Sequence, residues 1–200
     1  HARVFDTVTG LKDSDHVIRT VISAGADAIL TPYGSTIQAA EVLGNGGCWL
    51  SVDVTPETVV PIVETAIRLG VDGIKVEVYP WCTPEDDYFK RFSGTDSVLN
   101  AVCLAGECQK WGIPLMVESI PGGWPSTEMR TPEKVAAAAR VASETGADFI
   151  KTFYTGDKKS FKVVLDNCSV PVLWAFGNDY SSSSDKSIAL QSLVRDPIEI

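Results

Sequence analysis

The stretch ADFIKTFY, residues 147–154, is apolar except for one cation. Strand alternation places Lys151 on the same face as Phe149 and Phe153, where two aromatic neighbours disfavour the ammonium form. A lysine so placed can lose its proton near neutral pH and attack a carbonyl to form an iminium, which withdraws electrons and stabilises a carbanion at the adjoining carbon. The competing reading is a strand-end lysine that snorkels to solvent or pairs with a carboxylate. Two further runs carry polar residues at the same spacing: Lys75, Glu77 and Tyr79 alternate in GIKVEVYP, and Met116, Glu118 and Ile120 alternate in LMVESIP. If these faces point into one interior, Lys151, Lys75, Glu77 and Glu118 form a cluster in which the cations depress each other's pKa and the carboxylates oppose that shift. Lys75 and Glu77 read equally well as an ion pair filling that interior and as working groups, with Lys75 then a substrate-binding cation.

Proton transfer would fall to Glu118, Tyr79, Tyr154 or Tyr33, because the chain has only two histidines, His1 and His16. Each tyrosine also reads as a half-buried ring with its hydroxyl at a rim, and Tyr154 in addition as a substrate contact. The scarcity of histidine argues against a multi-histidine zinc site and against a histidine base beside a nucleophilic Ser or Cys. The five cysteines, at 48, 82, 103, 108 and 168, form no Cys-x-x-Cys pair, so neither a disulfide framework nor a zinc knuckle is expected. IPGGWP, residues 120–125, suits a close backbone approach over a ligand and equally an ordinary turn.

These residues must be held by regular elements, and the chain repeats a helix, glycine, strand unit: GADAIL at 25, GVDGIK at 70, WGIPLM at 111 and GADFIK at 146. Thr-Pro-Glu recurs at 55, 83 and 131, with a capping threonine, a first-turn proline and a glutamate suited to the positive helix end. Six short apolar runs alternate with segments of helical spacing, the pattern of parallel strands covered on both faces. No Gly-x-Gly-x-x-Gly follows the first strand, and polar residues gather at strand ends (Tyr33, Asp53, Tyr79, Ser119, Tyr154), so an α/β (β/α)8 TIM barrel is preferred to a doubly wound sheet. Six strands are two short of closure, and the barrel is expected to be truncated at both ends.

The 200 residues, 44% apolar and 22% charged, suit one domain spanning 1–200. A net charge of −9 argues against a nonspecific nucleic-acid surface, and no apolar run approaches the ~18 residues of a membrane span. The N-terminus lacks the regions of a signal peptide, so a cytoplasmic protein acting on a small molecule, without nucleic acid or membrane as partner, is expected.

The chain also resembles a known family along nearly its whole length. HARVFDTVTGL followed by GADAIL is similar to the opening DHG…GP..GL and GADAV of the DhnA-type class I aldolases, the archaeal-type fructose-bisphosphate aldolases related to deoxyribose-phosphate aldolase. GADFIKTFYTGD resembles the segment around that family's Schiff-base lysine, often close to ADAVKIKYTGD. The resemblance implies a (β/α)8 fold, Lys151 as the imine nucleophile, a phosphorylated sugar or ketose substrate, no metal and no cofactor. Three features depart from the family. The aspartate before its DHG histidine has no counterpart in this chain. Glu118 and Ile120 stand where W-S-Y-P-R-G has its Trp and Tyr, so the proton donor differs; Glu118 is the first choice and Tyr79 the second. Of the phosphate-loop glycine pair only Gly177 is kept, as a substrate-binding position. The expected function is a carbon-carbon lyase in a homo-oligomer, with a thiolase- or transaldolase-type enzyme or a noncatalytic sugar-phosphate-binding barrel as alternatives.

Overall fold

The computed structural model describes residues 12–83 and 94–175. Six parallel strands, β1 (Ala28–Thr31), β2 (Gly47–Val52), β3 (Gly73–Val78), β4 (Leu115–Ser119), β5 (Phe149–Phe153) and β6 (Val172–Ala175), lie side by side in chain order. They correspond to the six apolar runs. Helix α1 (Ser14–Ser23) precedes β1, and helices α2 (Tyr33–Ala39), α3 (Val59–Leu69), α4 (Gly94–Trp111), α5 (Pro132–Ser143) and α6 (Lys158–Asp166) connect successive strands, so each strand returns through a crossover, as parallel pairing demands. The result is a parallel α/β half-barrel.

One face of the sheet carries the hydrophobic core. Ile74, Val76 and Val78 of β3, Leu115 and Val117 of β4 and Ile150 of β5 are all buried, packed in one cluster with Val63 and Ala66 of α3, Leu104 of α4 and Val135 and Ala139 of α5. A second, smaller cluster joins Ile18 of α1 to Ala39 and Val42.

The repeat has a physical basis. Gly70 ends α3 in the left-handed region, φ 66, where a Cβ is disfavoured, and its N–H closes the last turn on Ile67. Two residues on, the aspartate of the unit ties neighbouring strands together: Asp72 accepts the Cys48 N–H at 2.7 Å, and Asp148 accepts that of Leu115 at 2.8 Å. Each bond satisfies a backbone donor at the foot of the adjoining strand.

The Thr-Pro-Glu expectation holds at α5, where Thr131 is the N-cap, Pro132 occupies the first turn and Glu133 follows. At Thr55 it is corrected. Thr58 Oγ1 accepts the Thr55 N–H at 2.8 Å, which folds residues 55–58 into a turn of their own and starts α3 only at Val59. The third copy, at Thr83, runs into residues outside those described.

Candidate active site

The opposite face of the sheet is where the charged residues meet. Register pairs Glu77 of β3 with Glu118 of β4, and Glu118 with Lys151 of β5, so three ionisable side chains share one row. Lys75 lies one inward step below, paired with Met116. Beneath the row, the Trp49 ring of β2 meets Phe149 of β5 edge on, with ring centroids 5.8 Å apart. Gly73 makes room for this floor, since a Cβ there would lie 2.4 Å from the Trp49 ring.

The ion pairs form a continuous chain. Lys75 Nζ is 2.5 Å from Glu77 Oε1 and 2.5 Å from Glu118 Oε2, while Lys151 Nζ donates to the other Glu118 oxygen, Oε1, at 2.7 Å. Tyr79 Oη donates to Glu77 Oε2 at 2.5 Å, and Trp124 Nε1 donates to the same oxygen at 3.2 Å. Two cations thus balance two carboxylates, which is what permits burial this deep. Burial pushes the Glu77 carboxyl up, but the Lys75 charge and the hydrogen bonds from Lys75, Tyr79 and Trp124 outweigh it and hold the group below the ordinary carboxylate range.

Exposure separates the two lysines. The Lys75 side chain is 1% exposed and the Glu118 side chain 3%, whereas that of Lys151 is 26% exposed. A reacting carbonyl therefore has access to Lys151 and none to Lys75. Above Lys151, Phe153 and Trp124 meet edge on at 5.8 Å, and the Arg130 guanidinium sits 4.3 Å from the Phe153 ring centre. Among the described residues, the rim over the cluster presents the aromatic rings of Phe153 and Trp124 and the Arg130 cation.

Of the sequence candidates, Lys151, Glu118, Glu77, Tyr79 and Lys75 are brought together. Lys75 is there as a buried counter-ion rather than as a substrate-binding cation at the opening: both carboxylates surround its ammonium. Tyr154 is not brought to the cluster. It follows Phe153 with the opposite parity and packs on the helical side, against Phe161 of α6 and Trp174, with ring centroids 5.3 and 4.9 Å away. There burial, and then the Asp157 charge, push its phenol up. Ser119 likewise turns outward and donates to Thr152 at 3.2 Å, while Tyr33 begins α2 and is 54% exposed. Gly177 lies outside the described residues.

Sequence reasoning missed Trp124 and Arg130. Their only signal was the IPGGWP turn, whose left-handed Gly122 and Gly123, φ 70 and 89, send the chain back over the site. Among the described residues no group of three or more His, Cys, Asp or Glu side chains could hold a metal ion. No helix among them is long and apolar enough to cross a membrane.

The chain is similar to several known proteins. A 2-amino-3,7-dideoxy-D-threo-hept-6-ulosonate synthase of Halobacterium salinarum is 28% identical over 186 residues, covering 89% of this chain and 66% of that protein. A class 1 fructose-bisphosphate aldolase of Thermoproteus tenax is 29% identical over 184 residues, covering 86% of this chain and 65% of that protein. The chain thus spans just under two thirds of the length of these curated relatives. In fold it is similar to an archaeal fructose-1,6-bisphosphate aldolase solved with its catalytic lysine bound covalently to a carbinolamine intermediate, at a TM-score of 0.72 and 23% identity over 91% of this chain and 72% of that one. The model of the DeoC/LacD family aldolases matches residues 1–198, and the chain belongs to that family.

Proposed function

We propose that the chain carries the active site of a Schiff-base class I aldolase, a carbon-carbon lyase in which Lys151 is the nucleophile and Glu118 its proton shuttle. The observation that carries the reading is the Lys151–Glu118 contact of 2.7 Å at the one lysine of the cluster that a substrate can reach. The Lys151 ammonium passes a proton to Glu118, and the free amine attacks the ketose carbonyl carbon, the carbonyl electrons moving to oxygen, which takes up the proton that the attacking nitrogen releases. Glu118 returns its proton to the resulting carbinolamine hydroxyl, which leaves as water and gives the iminium. Cleavage of the next carbon-carbon bond sends its electron pair into the iminium to give an enamine. The proton lost from the substrate hydroxyl passes to Tyr79 as the phenol hands its own to Glu77. Glu77 returns its proton through Tyr79 to the enamine carbon, and addition of water to the iminium then frees the second product and Lys151. Lys75 holds both carboxylates in place throughout.

The six strands are read as consecutive strands of a (β/α)8 barrel within one domain, and the substrate as a phosphorylated sugar or ketose, the class named by the fructose-bisphosphate aldolase relative. Cytoplasmic location and a homo-oligomeric state belong to the same reading. A transaldolase-type reaction is the second reading, favoured by Glu118 in place of a tyrosine donor, since a carboxylate beside the lysine serves transfer to an acceptor as well as cleavage.

The test is turnover of candidate sugar phosphates by the protein and its variants. Lys151→Ala and Lys151→Arg are each expected to lose at least about a thousandfold in kcat, because neither side chain forms an imine. Chelator treatment is expected to leave the wild-type rate unchanged. Turnover that survives Lys151→Ala, or that needs an added divalent metal, would exclude the imine mechanism.

A further inference from the structure

We propose that Trp124 is a positioning residue for this site: its indole N–H, delivered from the loop after β4, fixes the Glu77 carboxylate that links Lys75 to Tyr79. The proposal deepens the aldolase reading and rests on it for its catalytic consequence. Trp124 is 47 residues from Glu77 in sequence, yet the 3.2 Å bond from Nε1 to Glu77 Oε2 is set by several independent contacts. Gly122 N–H donates to Pro80 O at 2.7 Å, tying the start of the loop to the segment that follows β3. The turn is tight, since a Cβ on Gly122 would lie 2.7 Å from Ser126 and 2.8 Å from Met129. Phe153 seats the indole edge on, and Arg130 Nη2 donates to the Trp124 carbonyl at 2.8 Å while its guanidinium covers the same Phe153 ring. Phe153 stands two residues beyond Lys151 on the same face, so the seat of the indole and the nucleophile share one strand.

The consequence lies in how the Glu77 oxygens are used. Oε1 takes Lys75, and Oε2 takes both the Tyr79 O–H and the Trp124 N–H. With its own proton directed at Glu77, Tyr79 presents its oxygen as the acceptor for a substrate hydroxyl proton. Trp124 weakens Glu77 as a base and keeps it ionised beneath the relay. The other charged or titratable groups that face Glu77 are Lys75 on its own strand, Tyr79 just past it, Glu118 beside it on β4 and Lys151 next in the row on β5.

Trp124→Phe keeps a ring against Phe153 and removes the N–H. The acid limb of its kcat/KM profile, where Glu77 takes up a proton, is expected to move up by about one pH unit, while hydride trapping of the imine at Lys151 persists. Phe153→Leu, which keeps the indole and removes its seat, is expected to shift the same limb in the same direction. Titration of Glu77 by carboxyl carbon NMR, in wild type and in Trp124→Phe, reads the rise without turnover. That measurement keeps the two claims apart: absence of trapping in wild type overturns the aldolase reading, whereas an unmoved Glu77 titration overturns the role of Trp124. A fall in rate or melting temperature with neither the limb nor the titration displaced also overturns it, because a merely structural tryptophan gives that pattern.

Discussion

Replacing Lys75 by methionine tests how the site is held together. Its ammonium lies 2.5 Å from Glu77 and from Glu118, whose side chains are each 3% exposed. Without it, Glu77 keeps the Tyr79 and Trp124 donors but loses the Lys75 charge, and Glu118 keeps Lys151 as its paired cation. Breaking a buried pair by removing one partner costs about 3–5 kcal/mol, because a desolvated charge is left uncompensated. A domain stability of about 5–15 kcal/mol leaves that loss measurable by urea denaturation, with an unchanged slope marking an unchanged folded state. The pH dependence reverses sign. In wild type the Glu77 carboxyl sits below its unfolded value, so its contribution is present above the ordinary carboxylate range and is lost as the pH falls through the folded pKa. In Lys75→Met the two carboxylates face each other with no cation between them, Lys151 lying on the far side of Glu118, so one carboxyl rises above its unfolded value. The folded state then binds the extra proton, and the variant loses stability as pH rises and regains part of it on acidification. Lys75→Met/Glu77→Gln is expected to recover about 1–3 kcal/mol at neutral pH by removing the uncompensated charge. A cost below about 1 kcal/mol at neutral pH, or one that does not change between pH 7.5 and 5, would refute the ionic account, since exposed pairs behave that way.

The floor of the site gives a second prediction. Gly73→Ala drives a methyl into the Trp49 ring and is expected to cost about 1–3 kcal/mol by denaturation, with Gly73→Ala/Trp49→Leu recovering much of it; equal stability of Gly73→Ala and wild type contradicts the packing. The thiols give a third. Burial, followed by the Asp148 and Glu107 charges, pushes the Cys108 thiol up to about 12, whereas Cys103 is exposed. Iodoacetamide at pH 8 is therefore expected to label Cys103 in the folded protein and Cys108 only after unfolding, as read by peptide mass mapping.

The strands were legible in the sequence because parallel strands covered on both faces leave continuous apolar runs, and the recurring glycines mark where the helices before them end. Alternation also carried the site: Lys75, Glu77 and Tyr79, like Phe149, Lys151 and Phe153, share a face as the period of two requires. The same period, applied past the strand ends, would have removed Ser119 and Tyr154, which have the opposite parity to Glu118 and Lys151. Their position beside the site in sequence was a weaker guide than their phase. Which lysine a substrate can reach could not be read from spacing, because the 1% and 26% exposures of Lys75 and Lys151 depend on depth in the half-barrel. The roles of Trp124 and Arg130, signalled only by the IPGGWP turn, were missed for a different reason. A loop has no period, and the turn at Gly122 and Gly123 that returns Trp124 over Glu77 is set by tertiary contacts.

The central claim is that Lys151 forms the imine, and reduction of that imine tests it most directly. The protein would be incubated with a panel of ketose and aldose phosphates, treated with sodium borohydride, digested and mapped by mass. At least one carbonyl compound is predicted to leave a single reduced adduct on the peptide carrying Lys151, with Lys75 unmodified. An adduct at Lys75, or turnover of a substrate that leaves no adduct at Lys151, would contradict the account.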